Sequence, residues 1–336
     1  MNNPFLSIVI PVYNGLTHDL PRCLDSIWSQ PLETSLYEVI CIDDCSTDDT
    51  RQWLAEQKRL HNNLQIVENT RNMRQGGGRN KGIKVAKGRY IAFIDQDDYY
   101  HQGAVAEVYN HLKQRSDLEV LVVDCTYEHP GCVNNTLQHN FPHREVMTGD
   151  ELIGCNSIPY APWKFIFQRR LVTEHDLWFN ENERIEDIDW VHRLVHQAKQ
   201  AQYQPILFIH YQKTTVSTTM TAFHSPETMH SGVRCAHRIY NLIDNEFAQS
   251  PVETKNLLVW LSGSVYHNAL RNFLFCKDTV HAKADTIRQY VVFTPQASQL
   301  TRFAYSYPYA FSRISNITSL FLPAMLTLYR RWKYRR

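Results

Sequence analysis

The sequence predicts an α/β fold on a mostly parallel central sheet, followed by a helical C-terminal extension. Three observations predict it. Short Val- and Ile-rich runs alternate with amphipathic stretches over roughly the first hundred residues, the pattern of strand–helix–strand units feeding a parallel sheet. Polar and acidic residues gather just after three of those runs, where open α/β sheets bind ligands. From about residue 221 the periodicity becomes helical.

Taken in order, Ser7–Val12, Glu38–Ile42, Leu64–Val67 and Tyr90–Ile94 are apolar and short enough to be strands buried on both faces. Between them, Leu20–Gln30, Asp48–His61 and Arg79–Ala86 carry apolar residues at helical spacing, and Ser46-Thr47-Asp48-Asp49 offers the second an N-cap. A helix over Gly103–Lys113 and a strand over Leu118–Asp124 come next. Pro159–Arg170 and Ile188–Lys199 read as helices, and Pro205–Tyr211 reads as a strand. Met229–Phe247 and Thr254–Phe275 follow as long amphipathic helices. The division falls near residue 220, giving a first domain 1–220 and a mostly helical region 221–336. No internal repeat is visible.

Composition narrows the class. With 336 residues, 43% hydrophobic and 21% charged, the chain is an ordinary globular protein without low-complexity tracts. None of its 8 cysteines forms a Cys-x-x-Cys pair, so neither a zinc site nor a redox motif is indicated. They read as reduced, mostly buried thiols of a cytoplasmic protein. The apolar run Phe5–Val12 lacks the basic flank and cleavage site of a signal peptide and reads as a strand. No apolar stretch reaches the roughly 20 residues that span a bilayer.

The net charge of +1 hides an asymmetry. No acidic residue follows Asp285, whereas 8 lysines and arginines do. That leaves 27 basic against 34 acidic before it, about −7. The body and the tail therefore suit different partners.

Asp95-Gln96-Asp97-Asp98 ends the strand Tyr-Ile-Ala-Phe-Ile, with no lysine or arginine inside the cluster. Carboxylates crowded at one strand end repel, and such hard oxygen ligands suit Mg²⁺ or Mn²⁺ bridging a diphosphate. A solvated acidic turn is the structural alternative. Calcium in an EF-hand fails on spacing, because Tyr100 stands where glycine is required and Ala106 where glutamate is required. The run Gly76-Gly77-Gly78-Arg79-Asn80-Lys81-Gly82 lacks a Gly-Lys-Ser/Thr ending and has Lys81 where a dinucleotide fingerprint needs glycine. It reads instead as a turn into a helix beginning near Arg79, with that guanidinium free for an anion. A purely structural turn is equally consistent with the segment. His224, His230 and His237 read as surface or core residues.

Read together, the segments Ser7–Asn14 (Ser-Ile-Val-Ile-Pro-Val-Tyr-Asn), Arg22–Gln30, Tyr37–Thr50 and Gly76–Asp98 resemble the inverting family 2 glycosyltransferases of the GT-A fold, a nucleotide-diphospho-sugar transferase fold. The agreement is dense over roughly the first hundred residues and thinner afterwards. The resemblance implies that Pro11, Tyr13 and Asn14 form the first loop around the nucleotide, with Tyr13 against the base. It implies that Asp44 accepts a hydrogen bond from that base, often uracil. It places Arg79 near the diphosphate or ribose and Asp95 on the ribose side of the donor. Asp97 ligates the metal, Mn²⁺ or Mg²⁺. Cys45 departs from the usual Asp-Asp-Gly-Ser and is expected to alter the turn. Further on, Trp163–Arg170 and Phe179–Trp190 resemble the acceptor side, and Asp187 of Glu186-Asp187 maps onto the catalytic base. Helix-dipole complementation is the structural alternative for this pair, and Asp189 is the rival base. His210 stands near a position that reaches the metal in some relatives.

The implied activity is transfer of a sugar, from a UDP-sugar first of all, to a hydroxyl of a saccharide or lipid-linked acceptor in cell-surface polysaccharide synthesis. Two alternatives are a nucleotidyltransferase, against which the absence of a glycine-rich Arg/Lys loop after the first strand counts, and an inactive nucleotide-sugar-binding module. Ile317–Tyr329 is apolar and too short to span a bilayer, and Arg330-Arg331-Trp332-Lys333-Tyr334-Arg335-Arg336 follows it. This tail reads as a peripheral contact with an anionic membrane surface, on the cytoplasmic face, with a helix packed on the protein and ending in a solvated basic run as the structural alternative. Phe303, Tyr305, Tyr307, Tyr309 and Phe311 would share one side if extended. Nothing in the chain points to nucleic acid, and the oligomeric state is not encoded legibly.

Overall fold

The computed structural model of the chain describes residues 3–129, 132–137, 145–155, 158–212, 225–273, 276, 278–290, 292 and 299–316. It divides into two compact units, Met1–Thr214 and Thr215–Arg336.

In the first unit the strands are β1 (Leu6–Val12), β2 (Tyr37–Asp43), β3 (Leu64–Glu68), β4 (Tyr90–Phe93), β5 (Tyr99–Tyr100), β6 (Val120–His129), β7 (Cys132–Leu137), β8 (Phe165–Gln168) and β9 (Ala201–Gln212). They form one sheet in the order β3-β2-β1-β4-β8-β6-β9-β5, with β7 paired to β6. The half from β3 to β4 is parallel, so β1, β2 and β4 all end on the same edge. β8 enters antiparallel to both β4 and β6, which makes the other half mixed. Between the strands run α1 (Leu20–Trp28), α2 (Thr50–Leu60), α3 (Arg74–Val85), α4 (Ala104–Gln114), α5 (Gly149–Cys155), α6 (Arg169–His175) and α7 (Asp187–His196). Ile8, Val9, Ile10, Val39, Ile40, Ile91 and Phe93 are all fully buried, as the two-sided apolar runs require.

Three sequence readings are corrected. Pro159–Arg170 is not a helix: a single 3₁₀ turn, Pro162–Lys164, leads into β8, whose Phe-Ile-Phe-Gln is buried throughout. Bulky aromatic and β-branched residues between two strands favour pairing over helical propensity. β9 starts at Ala201 and not at Pro205, and its register against β6 shifts between Val122 and Asp124, opposite the proline. Proline donates no ladder hydrogen bond, so the shift absorbs it. The third correction is α3, which begins at Arg74 and carries the glycine run inside it.

That run has a packing reason. A Cβ on Gly82 would stand 2.2 Å from Val9 Cγ1. α3 therefore lies directly on β1, closer than any side chain permits.

The second unit holds α8 (Pro226–Asp244), α9 (Val252–Phe273), α10 (Val280–Gln289) and α11 (Gln299–Ser306), close to the bounds that periodicity gave for the first two. Its core gathers Met229, Val233, Tyr266, Leu270, Phe273, Ile287 and Phe311. The aromatic series 303–311 is helical, not extended, and Phe311 turns into this core while the other four stay exposed. Buried Lys283 reaches the carbonyls of Phe273 and Cys276, Ser315 Oγ at 2.6 Å and Asn316 Oδ1 at 2.7 Å. Among the described cysteines all are free and most are buried. No described helix is long and apolar enough to cross a membrane. The tail from residue 317 onward, with its expected membrane contact, lies outside the described residues.

Gly82→Ala tests the α3–β1 contact. It is expected to lower stability by about 1–3 kcal/mol through overpacking against Val9, read as a lower denaturant midpoint. An unchanged midpoint would show that α3 stands off the strand.

Candidate active site

The sheet edge where β1, β2 and β4 end is built by three loops that hold one another. After β1, Asn14 takes a left-handed conformation at φ 49°. Its backbone N–H donates to Ser46 Oγ at 2.9 Å, and its side-chain oxygen accepts from Thr47 N–H at 2.8 Å. The Tyr13 backbone is clamped on both sides by the Gln96 amide, at 2.9 Å each way, leaving its ring 43% exposed. Pro11 lies on the same strand end and pairs in register with Ile42.

After β2, Asp44 is nearly buried. It accepts from Asn69 Nδ2 and from the backbone N–H groups of Met73 and Arg74, each at 2.7 Å. Its carboxylate thus fixes the entry to α3, and Oδ2 keeps room for one further donor. Cys45 sits at φ 67°. Cysteine is thus held in the conformation glycine adopts freely, at a cost of about 1 kcal/mol.

α3 delivers Arg79. The expected free guanidinium is not found, because Arg79 is 2% exposed and both terminal nitrogens are committed. Nη2 donates to Asp95 Oδ1 and Nη1 to Glu186 Oε1, each at 2.9 Å. Phe93 and Phe179 flank the cation at 5.7 and 5.6 Å. A Cβ on Gly76 would meet Glu186 Cγ at 3.0 Å and Asn180 O at 3.2 Å, so glycine lets the 179–186 segment close onto α3. Asn80 seals the same seam, donating to Phe179 O at 3.0 Å and accepting from Phe179 N–H at 2.9 Å.

Glu186 stands at the N-cap of α7 and Asp187 opens the helix. Asp187 keeps part of its surface exposed, whereas Asp189 is 2% exposed and accepts from Asn180 Nδ2 at 3.0 Å. Of the two rival carboxylates, Asp187 is the more exposed.

One guanidinium serves a group of carboxylates, and one positive charge cannot neutralise Asp95, Glu186 and Asp187 together. Burial pushes the Glu186 carboxyl up, and the neighbouring Asp187 adds to it. Burial likewise raises Asp187, with Arg79 and the helix N-terminal N–H groups opposing. Across the loop, burial and then Asp95 push Asp97 up to about 6. Asp98 is raised well above the usual carboxylate range by burial, Asp95 and Asp97. Its Oδ1 accepts from Gln212 N–H at 2.8 Å, while Oδ2 is buried without a hydrogen-bond partner among the described residues. Such a loop is relieved by a proton or by a divalent cation. Hard carboxylate oxygens in an electron-rich turn fit Mg²⁺ or Mn²⁺. Among the described residues, no three His, Cys, Asp or Glu side chains form a ready-made cage.

The structure adds residues that the motifs did not single out. Gln96, within the acidic motif, holds the first loop, and Asn80 joins α3 to the 179–186 segment. Lys164 is 2% exposed, and its charge acts on the buried Cys125 thiol. His210 lies between the rings of Tyr99 and His101 at 4.4 and 3.4 Å, its Nδ1 2.8 Å from Thr126 Oγ1. Gln96 is signalled in the sequence by an amide one residue from a key carboxylate, and His210 by its place at the end of an apolar strand.

A family model described as "Glycosyl transferase family 2" matches residues 7–175. The chain is 44% identical over 116 residues to the poly(ribitol-phosphate) beta-glucosyltransferase of Bacillus spizizenii, covering 34% of this chain and 18% of that one. It thus spans about a fifth of that relative's length. Among solved structures it is similar to S. aureus TarS 1–349 in complex with UDP-GlcNAc, with a TM-score of 0.62 and 20% identity over 95% of this chain and 92% of that one. It is also similar to the mannosyltransferase PcManGT from Pyrobaculum calidifontis in complex with GDP-Man and Mn²⁺, with a TM-score of 0.51 and 15% identity over 96% and 88% of the two chains. At these identities the structural likeness shows a shared fold.

The carboxylate cluster makes a pH-dependent stability. Groups raised in the folded chain hold protons that the unfolded chain has already released above about pH 4. The folded state therefore binds more protons, and stability falls as pH rises from there towards neutrality. Asp187→Asn removes one of these charges. Without metal it is expected to melt higher than wild type at pH 8, by on the order of 1 kcal/mol, with the difference vanishing near pH 4. A lower melting point at pH 8 would contradict the crowding of charge.

Proposed function

The chain belongs to glycosyl transferase family 2, and from that premise we propose that it is a metal-dependent inverting transferase using a UDP-sugar donor. Its acceptor is a hydroxyl of a saccharide or lipid-linked saccharide, in cell-surface polysaccharide synthesis. The observation that carries this reading is the Arg79 bridge, which ties donor-side Asp95 to Glu186, beside Asp187, with 2.9 Å bonds at both ends. The UDP-GlcNAc in the TarS structure and the polymer named for the Bacillus relative support the donor and acceptor classes.

Pro11, Tyr13 and Asn14 frame the nucleotide, and the exposed Tyr13 ring lies against the base. Asp44 offers the base its remaining acceptor position. Asp95 receives the ribose side of the donor, held in place by Arg79, which acts as a positioning residue and not as a diphosphate ligand. Asp97 is the residue that would hold Mn²⁺ or Mg²⁺, with Asp98 behind it. A bound ion supplies charge neutralisation on the leaving diphosphate, and the Mn²⁺ in the PcManGT complex supports that choice.

Asp187 takes the proton of the acceptor hydroxyl as its oxygen attacks the anomeric carbon. The new carbon–oxygen bond forms on the face opposite the diphosphate as the bond to phosphate breaks, and the electron pair leaves with the nucleoside diphosphate. A single displacement inverts the centre. The raised Asp187 carboxyl suits a base that must also release its proton, and a positioned base is worth about 10²–10⁴ in rate. The basic tail holds the chain at the cytoplasmic face of an anionic membrane.

Asp97→Ala is expected to lose Mn²⁺-dependent affinity for UDP while keeping its fold, measured by titration calorimetry beside a melting curve. Wild-type affinity would remove Asp97 from the metal site. Asp187→Asn is expected to keep donor affinity and lose about 10²–10⁴ of turnover. Wild-type turnover in that variant, with Asp189→Asn folded but inactive, would transfer the base to Asp189.

A further inference from the structure

The last helical stretch of the second unit is turned inside out for a water-facing helix. Residues 299–306 and 308–316 are helical, and the hydrogen bonds run through the break: Tyr307 N–H donates to Phe303 O and Phe311 N–H to Tyr307 O, each at 2.9 Å. Pro308, without an N–H, accounts for the irregular residue before it. Inward, Thr301, Ala304, Phe311, Ser312 and Ser315 are buried, and Ala304 and Phe311 belong to the core. The outward face presents Phe303, Tyr305, Tyr307 at 62% exposure, Tyr309 and Ile314, flanked by exposed Arg302 and Arg313.

A helix packed on a globular unit normally shows water mixed charges and polar residues. This one shows five large apolar or aromatic side chains and two cations. From residue 286 to the end of the sequence there is no acidic residue. The Phe303 and Tyr307 rings lie one turn apart, with centroids 5.9 Å from each other and planes tilted by 41°. Arg288 of α10 reaches the Tyr309 hydroxyl at 3.5 Å, and that hydroxyl donates to Asp285 Oδ1 at 3.5 Å.

We propose that this outward face of residues 302–314 is a docking surface for an anionic lipid bilayer. Aromatic rings with a polar edge favour the headgroup level, and exposed cations beside them favour an anionic leaflet. The chain continues directly from this helix into Ile317–Tyr329 and the cationic run 330–336, so a second signal of the same kind follows in sequence. Single weak anchors bind reversibly and paired ones bind stably. Lys283, bonded to Ser315 and Asn316, fixes the helix end from which that segment departs. The proposal deepens the membrane reading of the tail and is independent of the transferase chemistry.

Flotation of the full-length chain with vesicles of phosphatidylglycerol and phosphatidylcholine, and of phosphatidylcholine alone, tests it. Three variants are compared with wild type: F303S/Y307S/I314S, R302Q/R313Q, and the tail variant R330Q/R331Q/K333Q/R335Q/R336Q. The arginine pair is expected to lose about fivefold per residue on anionic vesicles, and the apolar triple about tenfold or more, with melting points unchanged because all five positions are exposed. If the apolar triple is unstable, the arginine pair decides alone. Flotation of the face variants at the wild-type level would overturn the docking face. Flotation of the tail variant at that level would overturn the tail reading instead. Binding unaffected by the face variants but self-association abolished by them would assign the face to a second copy of the chain and also overturn the proposal.

Discussion

One buried guanidinium holds the first unit's site together. Arg79 is bonded at 2.9 Å to Asp95, at the end of β4, and to Glu186, at the start of α7. Those two carboxylates are 91 residues apart in the chain and come from opposite halves of the unit. A buried ion pair is weak evidence of stability, because desolvation offsets most of the attraction. Its worth here is geometric: a planar fork with two fixed directions sets the two carboxylates at a defined separation. The glycines of α3 serve that fork, since Gly82 seats the helix on β1 and Gly76 admits the 179–186 segment.

The same arrangement explains why the site is electrostatically unsettled. One cation faces Asp95, Glu186 and Asp187, and a second crowd of carboxylates, Asp97 and Asp98, lies across the loop. Raised carboxyls on both sides store unfavourable charge that a metal and a diphosphate complex would balance. Stability is given up where binding needs it. Cys45, strained at φ 67° in the turn after β2, belongs to the same pattern.

Much of this was legible in the sequence, for a physical reason. Buried parallel strands are continuous apolar runs, so β1, β2, β3 and β4 and the polar residues at their ends stood out. The carboxylates of Asp44, Asp95, Asp97 and Asp187 were legible because charge at a strand end or helix start is chemically conspicuous. What periodicity could not show was partnership across the chain. Arg79 looked free because a glycine run before an arginine is also how an anion loop is written, and its two carboxylate partners are remote in sequence. β8 looked helical because three apolar residues and a glutamine carry no decisive period, and only its neighbours β4 and β6 select the strand. The aromatic series 303–311 alternated like a strand, yet Ala304, Phe311 and Ser315 share the spacing of a helix that buries one side.

The central claim is that the fork geometry of Arg79, beyond its charge, positions the reacting groups. Turnover of Arg79→Lys at saturating donor and acceptor tests it most directly, with donor affinity measured alongside. Lysine keeps the positive charge but cannot donate along both fixed directions. The account predicts a loss of at least about 10²-fold in turnover, larger than any loss in donor affinity, because misplacing groups by about 1 Å is enough for that. Wild-type turnover in Arg79→Lys would contradict it and leave Arg79 as a neutralising charge alone.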